Sequence, residues 1–182
     1  MNPFEAIAKE LNSVSATCGA TRVIGIDGPA GSGKSTFAGH LAMTLQQCPI
    51  IHMDDLYEGW NDPLNSKLFN RITEQIFSPL SSAKVASYQK FDWHKGAFDQ
   101  VVEVSPSNFL IIEGVGALHP EIQQYISLGI WLESNPKGRM KRVLDRDGED
   151  LKSHMLDWQK MEQTYFTKFK IAERADFALS TD

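Results

Sequence analysis

Cysteine is scarce: the 182 residues hold only Cys18 and Cys48, too few for the disulfide framework that staples small secreted domains. The five histidines are scattered and share no metal-ligand spacing with those thiols, so no structural zinc site is indicated and both thiols read as inert. No stretch approaches the roughly 18 apolar residues of a membrane span. Residues 1–11, MNPFEAIAKEL, carry acids and a proline where a secretory signal needs a basic start and an apolar run. A cytoplasmic location with no membrane partner is therefore expected. Basic residues are in deficit, 18 Lys and Arg against 23 Asp and Glu, for a formal charge of -5. A long nucleic-acid partner is not expected, because such binding needs excess cations to displace phosphate counterions. Repeats, linkers and low-complexity tracts are absent too, and a chain of this length is read as one domain over 1–182.

What is present is an ordinary folded composition, 42% hydrophobic and 23% charged. Asn2 and Pro3 open a helix with Phe4, Ile7, Ala8 and Leu11 on one face. Arg22 to Asp27, Pro49 to Met53 and Phe109 to Ile112 are short apolar runs with the look of buried parallel strands, and Ile126 to Leu132 and Ala175 to Ser180 are weaker ones. Between them lie helical spacings: Phe37, Leu41 and Leu45; then Leu68, Ile72 and Ile76, stopped by Pro79; then a helix opened by Asn135 and Pro136 and closed by Gly148. Met155, Trp158, Met161, Tyr165 and Phe169 form a long amphipathic stripe read as core. Strands alternating with helices indicate an α/β fold of three layers, with a mainly parallel five-stranded sheet and ligands at the strands' carboxyl ends.

Between the first strand and the second helix lies Gly28, Pro29, Ala30, Gly31, Ser32, Gly33, Lys34, Ser35, Thr36. Gly, four residues, then Gly-Lys-Ser, in strand-to-helix context, is the phosphate loop of P-loop nucleotide-binding proteins. Its glycines let successive N–H groups turn inward on phosphate oxygens, and the helix start adds its positive dipole end. Lys34 would reach the outer phosphates and the Ser35 hydroxyl would hold magnesium. A GTPase should add Asn-Lys-x-Asp after a later strand, but the nearest string, at Asn135, lacks the Asp. That class is set aside.

Two strands end in carboxylates. The second runs into His52-Met53-Asp54-Asp55-Leu56-Tyr57 and the third into Glu113-Gly114. If both flank the first strand, these acids stand beside the phosphate loop. A kinase acting on a hydroxyl needs a carboxylate to orient it and accept its proton, and magnesium to bridge the outer phosphates. Asp54 suits the first role and Glu113 the metal.

The ordered set IGIDGPAGSGKST, IHMDDLY, YQKFDWH, FLIIEGV and RMKRVLDRD resembles the uridine kinase branch of the phosphoribulokinase and uridine kinase superfamily, over Arg22 to Asp150 with a looser match at Ala175-Asp176. The resemblance implies a P-loop kinase fold using ATP and Mg2+, with Asp54 as catalytic aspartate and Ser35, Asp54 and Glu113 around the metal. It implies an arginine-bearing lid over about 137–150, with Arg139 and Arg142 on nucleotide phosphates and Arg146 toward the substrate. Uridine and cytidine kinases carry a longer insertion after the Asp-x-x-Tyr segment, with an aspartate on the ribose. Here the stretch is Glu58 to Pro63, which leaves Asp62 as the candidate beside Tyr57. Their Tyr-Asp-Phe segment, followed by a His, corresponds to Phe91, Asp92, Trp93 and His94, with the tyrosine missing and the His early.

The expected activity is transfer of the γ-phosphoryl group of ATP to a hydroxyl of a small metabolite, the 5'-hydroxyl of a pyrimidine nucleoside first among them. Alternatives are pantothenate, nicotinamide riboside or a sugar as acceptor, a non-catalytic ATP-binding regulatory protein, or a bare ATPase. Location also revises the charge balance. Five of the basic residues lie between Lys137 and Arg146 against Asp145 alone, a local +4 that leaves the rest of the chain at -9. A concentrated cationic lid suits a short polyphosphate.

Overall fold

A computed structural model describes residues 2–181. The first helix, α1 (Pro3–Leu11), begins at a reciprocal cap in which Asn2 accepts the Phe4 N–H and Glu5 reaches back to the Asn2 N–H. Strand β1 (Arg22–Asp27) leads through the glycine-rich loop into α2 (Lys34–Thr44). After β2 (Ile50–His52), a 3-10 turn spans Met53–Asp55, followed by α3 (Ser66–Ile72) and α4 (Ser78–Ser81). Next come β3 (Ala86–Asp92), β4 (Ala97–Val104), β5 (Phe109–Glu113) and β6 (Ile126–Glu133). Helices α5 (Pro136–Asp147), α6 (Lys152–Phe169) and α7 (Ile171–Arg174) precede the last strand, β7 (Phe177–Ser180).

The expected α/β architecture is present. Five strands form a parallel sheet in the order β2-β5-β1-β6-β7. Alternation along β1 makes the three layers. Ile24 and Ile26 point toward Ile7 and Leu11 of α1 and Phe37, Ala38 and Leu41 of α2. Val23 faces the opposite side, in the core that holds Leu68, Ile72, Trp158, Tyr165 and Ile171.

Two expectations change. The second strand does not flank the first: β5 lies between them, pairing Ile26 with Glu113 on one edge and His52 with Glu113 on the other. Glu113 is thereby brought next to the phosphate loop, and the turn after β2 stands one strand further out. Pro79 does not stop its helix. A π-turn over Thr73–Phe77 widens the coil ahead of it, and Pro79 sits in the first turn of α4, where its missing N–H costs nothing. An antiparallel β3–β4 hairpin, not anticipated from the sequence, stands apart from the main sheet. Its signal was present in the alternation of ASYQKFD and in the turn that follows, where Asp92 accepts the His94 and Lys95 N–H groups and Gly96 takes φ +64°.

A buried carboxylate fixes the start of the phosphate loop. Asp27, fully buried, accepts the Gly28 N–H at 2.7 Å, the Gly116 and Leu118 N–H groups at 3.1 Å each and the Tyr165 hydroxyl at 2.9 Å. One side chain thus joins β1, the segment after β5 and α6. Gly28 itself has no room for a side chain, since a Cβ there would lie 2.2 Å from the Leu132 carbonyl oxygen at φ +147°.

Burial pushes the Asp27 carboxyl up to about 6. It pushes His119, stacked on Phe69 with ring centroids 3.8 Å apart, down to about 4, helped by the charges of Lys168 and Arg174. The two act oppositely on stability. Between pH 6.5 and 4 the unfolded chain binds the His119 proton and the fold does not, so that contribution is lost on acidification. The fold binds the Asp27 proton before the unfolded chain does, so its contribution grows over the same range. We expect Asp27→Asn to cost about 2–3 kcal/mol at pH 7, because an amide presents donors to backbone donors, and to lower Tm by roughly 4–12 °C. Between pH 6.5 and 4, Tm of the variant should fall more steeply than that of the parent, which thermal melts across pH will test.

Candidate active site

The carboxyl ends of β1, β2 and β5 open into a cleft of about 800 Å³, a size suited to a nucleotide or a small acceptor. Ala30, Gly31, Gly33, Lys34, Ser35 and Thr36 form its phosphate-loop wall. Asp54, Asp55, Tyr57 and Trp60 line it from the turn after β2, and Trp93 and His94 from the hairpin tip. Glu113, Gly114 and Val115 lie at the end of β5, and Arg142, Val143, Arg146 and Asp147 come from α5. Asp150, Leu151, Met155 and Trp158 complete it from the start of α6 and the turn before it.

In the loop, the buried Lys34 ammonium donates to the Gly28 and Pro29 carbonyls at 2.8 and 2.9 Å, which curls the side chain back over the glycines. The Ser35 hydroxyl donates to Glu113 Oε1 at 2.9 Å, and His52 Nδ1 contacts the same oxygen. The hydrogen bond to Glu113 raises the His52 pKa, outweighing its partial burial. No sequence pattern marks His52 for chemistry. The β2–β5 register, which sets it opposite Glu113, supplies the reason it belongs to the site.

Asp54 is exposed to the cleft, whose walls take part of its solvation. Desolvation first, and Glu113's charge second, push its carboxyl up, against the opposing pull of Lys34, Arg146 and His52. A carboxylate whose pKa is raised is a better proton acceptor for a hydroxyl than an ordinary one. The Trp93 indole donates to the Asp54 carbonyl at 3.0 Å, so the hairpin tip clamps this turn. Asp55 turns to Lys90 of β3 at 3.1 Å.

Ser35, Asp54 and Glu113 offer only oxygen ligands, the donor set of a hard cation that keeps several waters and is completed by phosphates. They fit magnesium. Among the described residues no cluster of three or more His, Cys, Asp or Glu side chains could hold a metal ion without other ligands.

Other candidates divide. Arg142 lines the cleft, donating to the Gly31 carbonyl at 2.9 Å and to Ser134. Arg146 lines it with its guanidinium forked onto the neighbouring Asp147 at 2.6 and 2.7 Å. Arg139 does not reach the cleft wall: it lies behind the loop, 3.6 Å from Glu162. Tyr57 is fully buried and its hydroxyl donates to the Val115 carbonyl at 2.6 Å, so the residue offers the cleft its ring and not its oxygen. Phe91 is buried beneath Trp93 and Phe98 and is no part of the wall. Asp62 is exposed, held at φ +46° in a turn whose carbonyl accepts from Asn65, and the shortened stretch does not bring it to the cleft.

Sequence reasoning missed Trp60 and the use of Trp158. Trp60 packs on Trp93 at 4.8 Å, stacks on His154 at 4.9 Å and meets Trp158 edge-on at 6.0 Å. Trp158 contacts Tyr57 at 5.2 Å. Trp158 is buried in the helical stripe, as its spacing implies, yet it also lines the cleft.

No family model matches the chain. Among curated proteins, uridine-cytidine kinase C of Dictyostelium discoideum is 27% identical over 62% of this chain, which spans only 27% of that relative's length. A uridine kinase of Borrelia turicatae is 26% identical over 69% of this chain and 67% of its own. Among solved structures, one described as a possible uridine kinase from Bacillus stearothermophilus superposes with a TM-score of 0.68 at 23% identity, covering 97% of this chain and 96% of that one. A protein assigned as a fructose transport system kinase from Silicibacter gives a TM-score of 0.65 at 18% identity, over 98% and 99% of the two chains. No helix among the described residues is long and apolar enough to cross a membrane. With a phosphate loop following its central strand and an aspartate and a glutamate lining the same cleft, the chain is similar to uridine kinases in sequence and to small-molecule P-loop kinases in fold.

Proposed function

We propose that the protein transfers the γ-phosphoryl group of ATP, with magnesium, to the 5'-hydroxyl of a pyrimidine nucleoside. The observation that carries this reading is the convergence of Lys34, Ser35 and Glu113 with Asp54 in one cleft whose far wall is aromatic. Phosphates entering the loop would meet its inward N–H groups and the start of α2, and would draw the Lys34 ammonium from the Gly28 and Pro29 carbonyls. Ser35, Glu113 and Asp54 would hold magnesium, which supplies charge neutralisation on the outer phosphates. Arg142 and Arg146 add positive charge from α5 on the side from which a lid would close. Asp54 orients the acceptor hydroxyl and takes its proton as the oxygen attacks the γ-phosphorus and the bond to the ADP oxygen breaks. Catalysis is then mostly positioning and electrostatics.

The wall of Trp60, Trp93 and Trp158 supports a ring-bearing acceptor, since a planar base gains by contact with aromatic faces. Among the described residues, Arg146 on the cleft wall is already paired with Asp147, and Lys90 behind Asp55 is paired with that acid. An uncharged nucleoside suits this end better than a carboxylate such as pantothenate.

Asp54→Asn should lower kcat with uridine by about 10²–10⁴-fold, as read by single-turnover kinetics at saturating Mg·ATP. Turnover near the parent rate would remove Asp54 from the base role. Trp60→Leu should raise the acceptor KM by roughly 5- to 150-fold, the equivalent of about 1–3 kcal/mol of ring stacking, and leave the KM for ATP unchanged. An unchanged acceptor KM would exclude stacking on this wall.

A further inference from the structure

One buried acid lies outside the roles assigned so far. Glu162 is on α6 and is 3% exposed. Its Oε2 accepts the Ala30 backbone N–H at 2.9 Å and the Trp158 indole N–H at 3.1 Å. Its Oε1 stands 3.6 Å from Nη1 of Arg139, whose Nε and Nη1 have no hydrogen-bond acceptor. The partners belong to three parts of the site: the phosphate loop, α5 with its arginines, and the aromatic wall. The loop and α5 are also in direct contact, because a Cβ at Gly31 would lie 2.5 Å from the Arg139 carbonyl oxygen.

We propose that Glu162 is a positioning residue that couples the aromatic acceptor wall to the nucleotide end of the cleft. The inference rests on the kinase reading above and adds to it a route by which the two substrate ends influence one another. The same carboxylate oxygen is shared by loop and indole, so a change at Trp158 alters how firmly Ala30 is held. Arg139 has no acceptor besides Glu162 to fix its Nη1, so α5 follows the same carboxylate. Hydrogen bonds to a charged acceptor are about twice as strong as neutral ones, which makes the shared oxygen a firm link.

The test measures Mg·ATP affinity by calorimetry in the full chain, with folding of each variant checked by melting. Trp158→Phe keeps a six-membered aromatic ring and removes the pyrrole portion of the indole with its N–H. Although Trp158 lies on the acceptor wall, this change should weaken Mg·ATP binding about three- to tenfold. In a Glu162→Leu background the same change should add less than twofold, and Glu162→Gln should recover much of the affinity that Glu162→Leu loses. Should Glu162→Leu not fold, Glu162→Gln serves as the background, where the neutral hydrogen bond predicts a smaller Trp158→Phe effect than in the parent. An unchanged affinity in Trp158→Phe, or an equal loss in both backgrounds, overturns the coupling while leaving the kinase reading intact. Failure of the parent protein to bind Mg·ATP overturns both.

Discussion

The phosphate loop is a run of small residues with little side-chain packing of its own, and its shape is held from outside by carboxylates. Asp27 takes the first N–H of the loop together with two N–H groups after β5 and a hydroxyl of α6. Without that junction, β1 would still pair in the sheet, but the loop, the Glu113 segment and α6 would lose their common reference point. The close approach of the Gly28 backbone to Leu132 adds a steric limit on the other side. Everything that follows at the site depends on this fixed corner: Lys34 folding over the glycines, Ser35 meeting Glu113, and Asp54 facing both.

The sheet order explains why two sequence-distant acids share one cleft. With β5 inserted between β1 and β2, Glu113 is delivered to the rim of the loop and His52 is set beside it. The turn carrying Asp54 is one strand further from the loop and is braced from the opposite side by the Trp93 indole. The hairpin thus contributes to the site without joining the main sheet. The cationic character of α5 is also more divided than its composition suggests. Arg142 and Arg146 face the cleft, Arg139 is drawn back to Glu162, and Lys141 pairs along the helix with Asp145.

Local features were legible in the sequence where one residue type has one physical use. The glycine pattern ending in Lys34 and Ser35, the apolar run of β1 and the capped start of α5 by Asn135 and Pro136 all declared themselves. Pairing was not legible: nothing in the runs around Ile51 and Ile111 says which lies next to β1, because both are apolar on both faces. Amphipathic spacing identified α6 but could not show that Trp158 also lines the cleft, or that Glu162, one turn on, is buried. Sequence order alone points to Asp62, yet the short stretch that carries it ends in an exposed turn. The aromatic wall joins Trp60, Trp93 and Trp158, which are far apart in the chain, so only the packed structure brings it together.

The central claim is that this constellation moves a phosphoryl group to an acceptor held against the aromatic wall. The most direct measurement incubates the protein with Mg·ATP and, separately, uridine, cytidine, nicotinamide riboside, pantothenate or fructose, and follows both ADP release and the phosphorylated product. The account predicts ADP release that depends on the acceptor, with stoichiometric formation of a nucleoside 5'-monophosphate from uridine or cytidine. ADP release at one rate whatever the acceptor, or a product formed only from pantothenate or fructose, would contradict it.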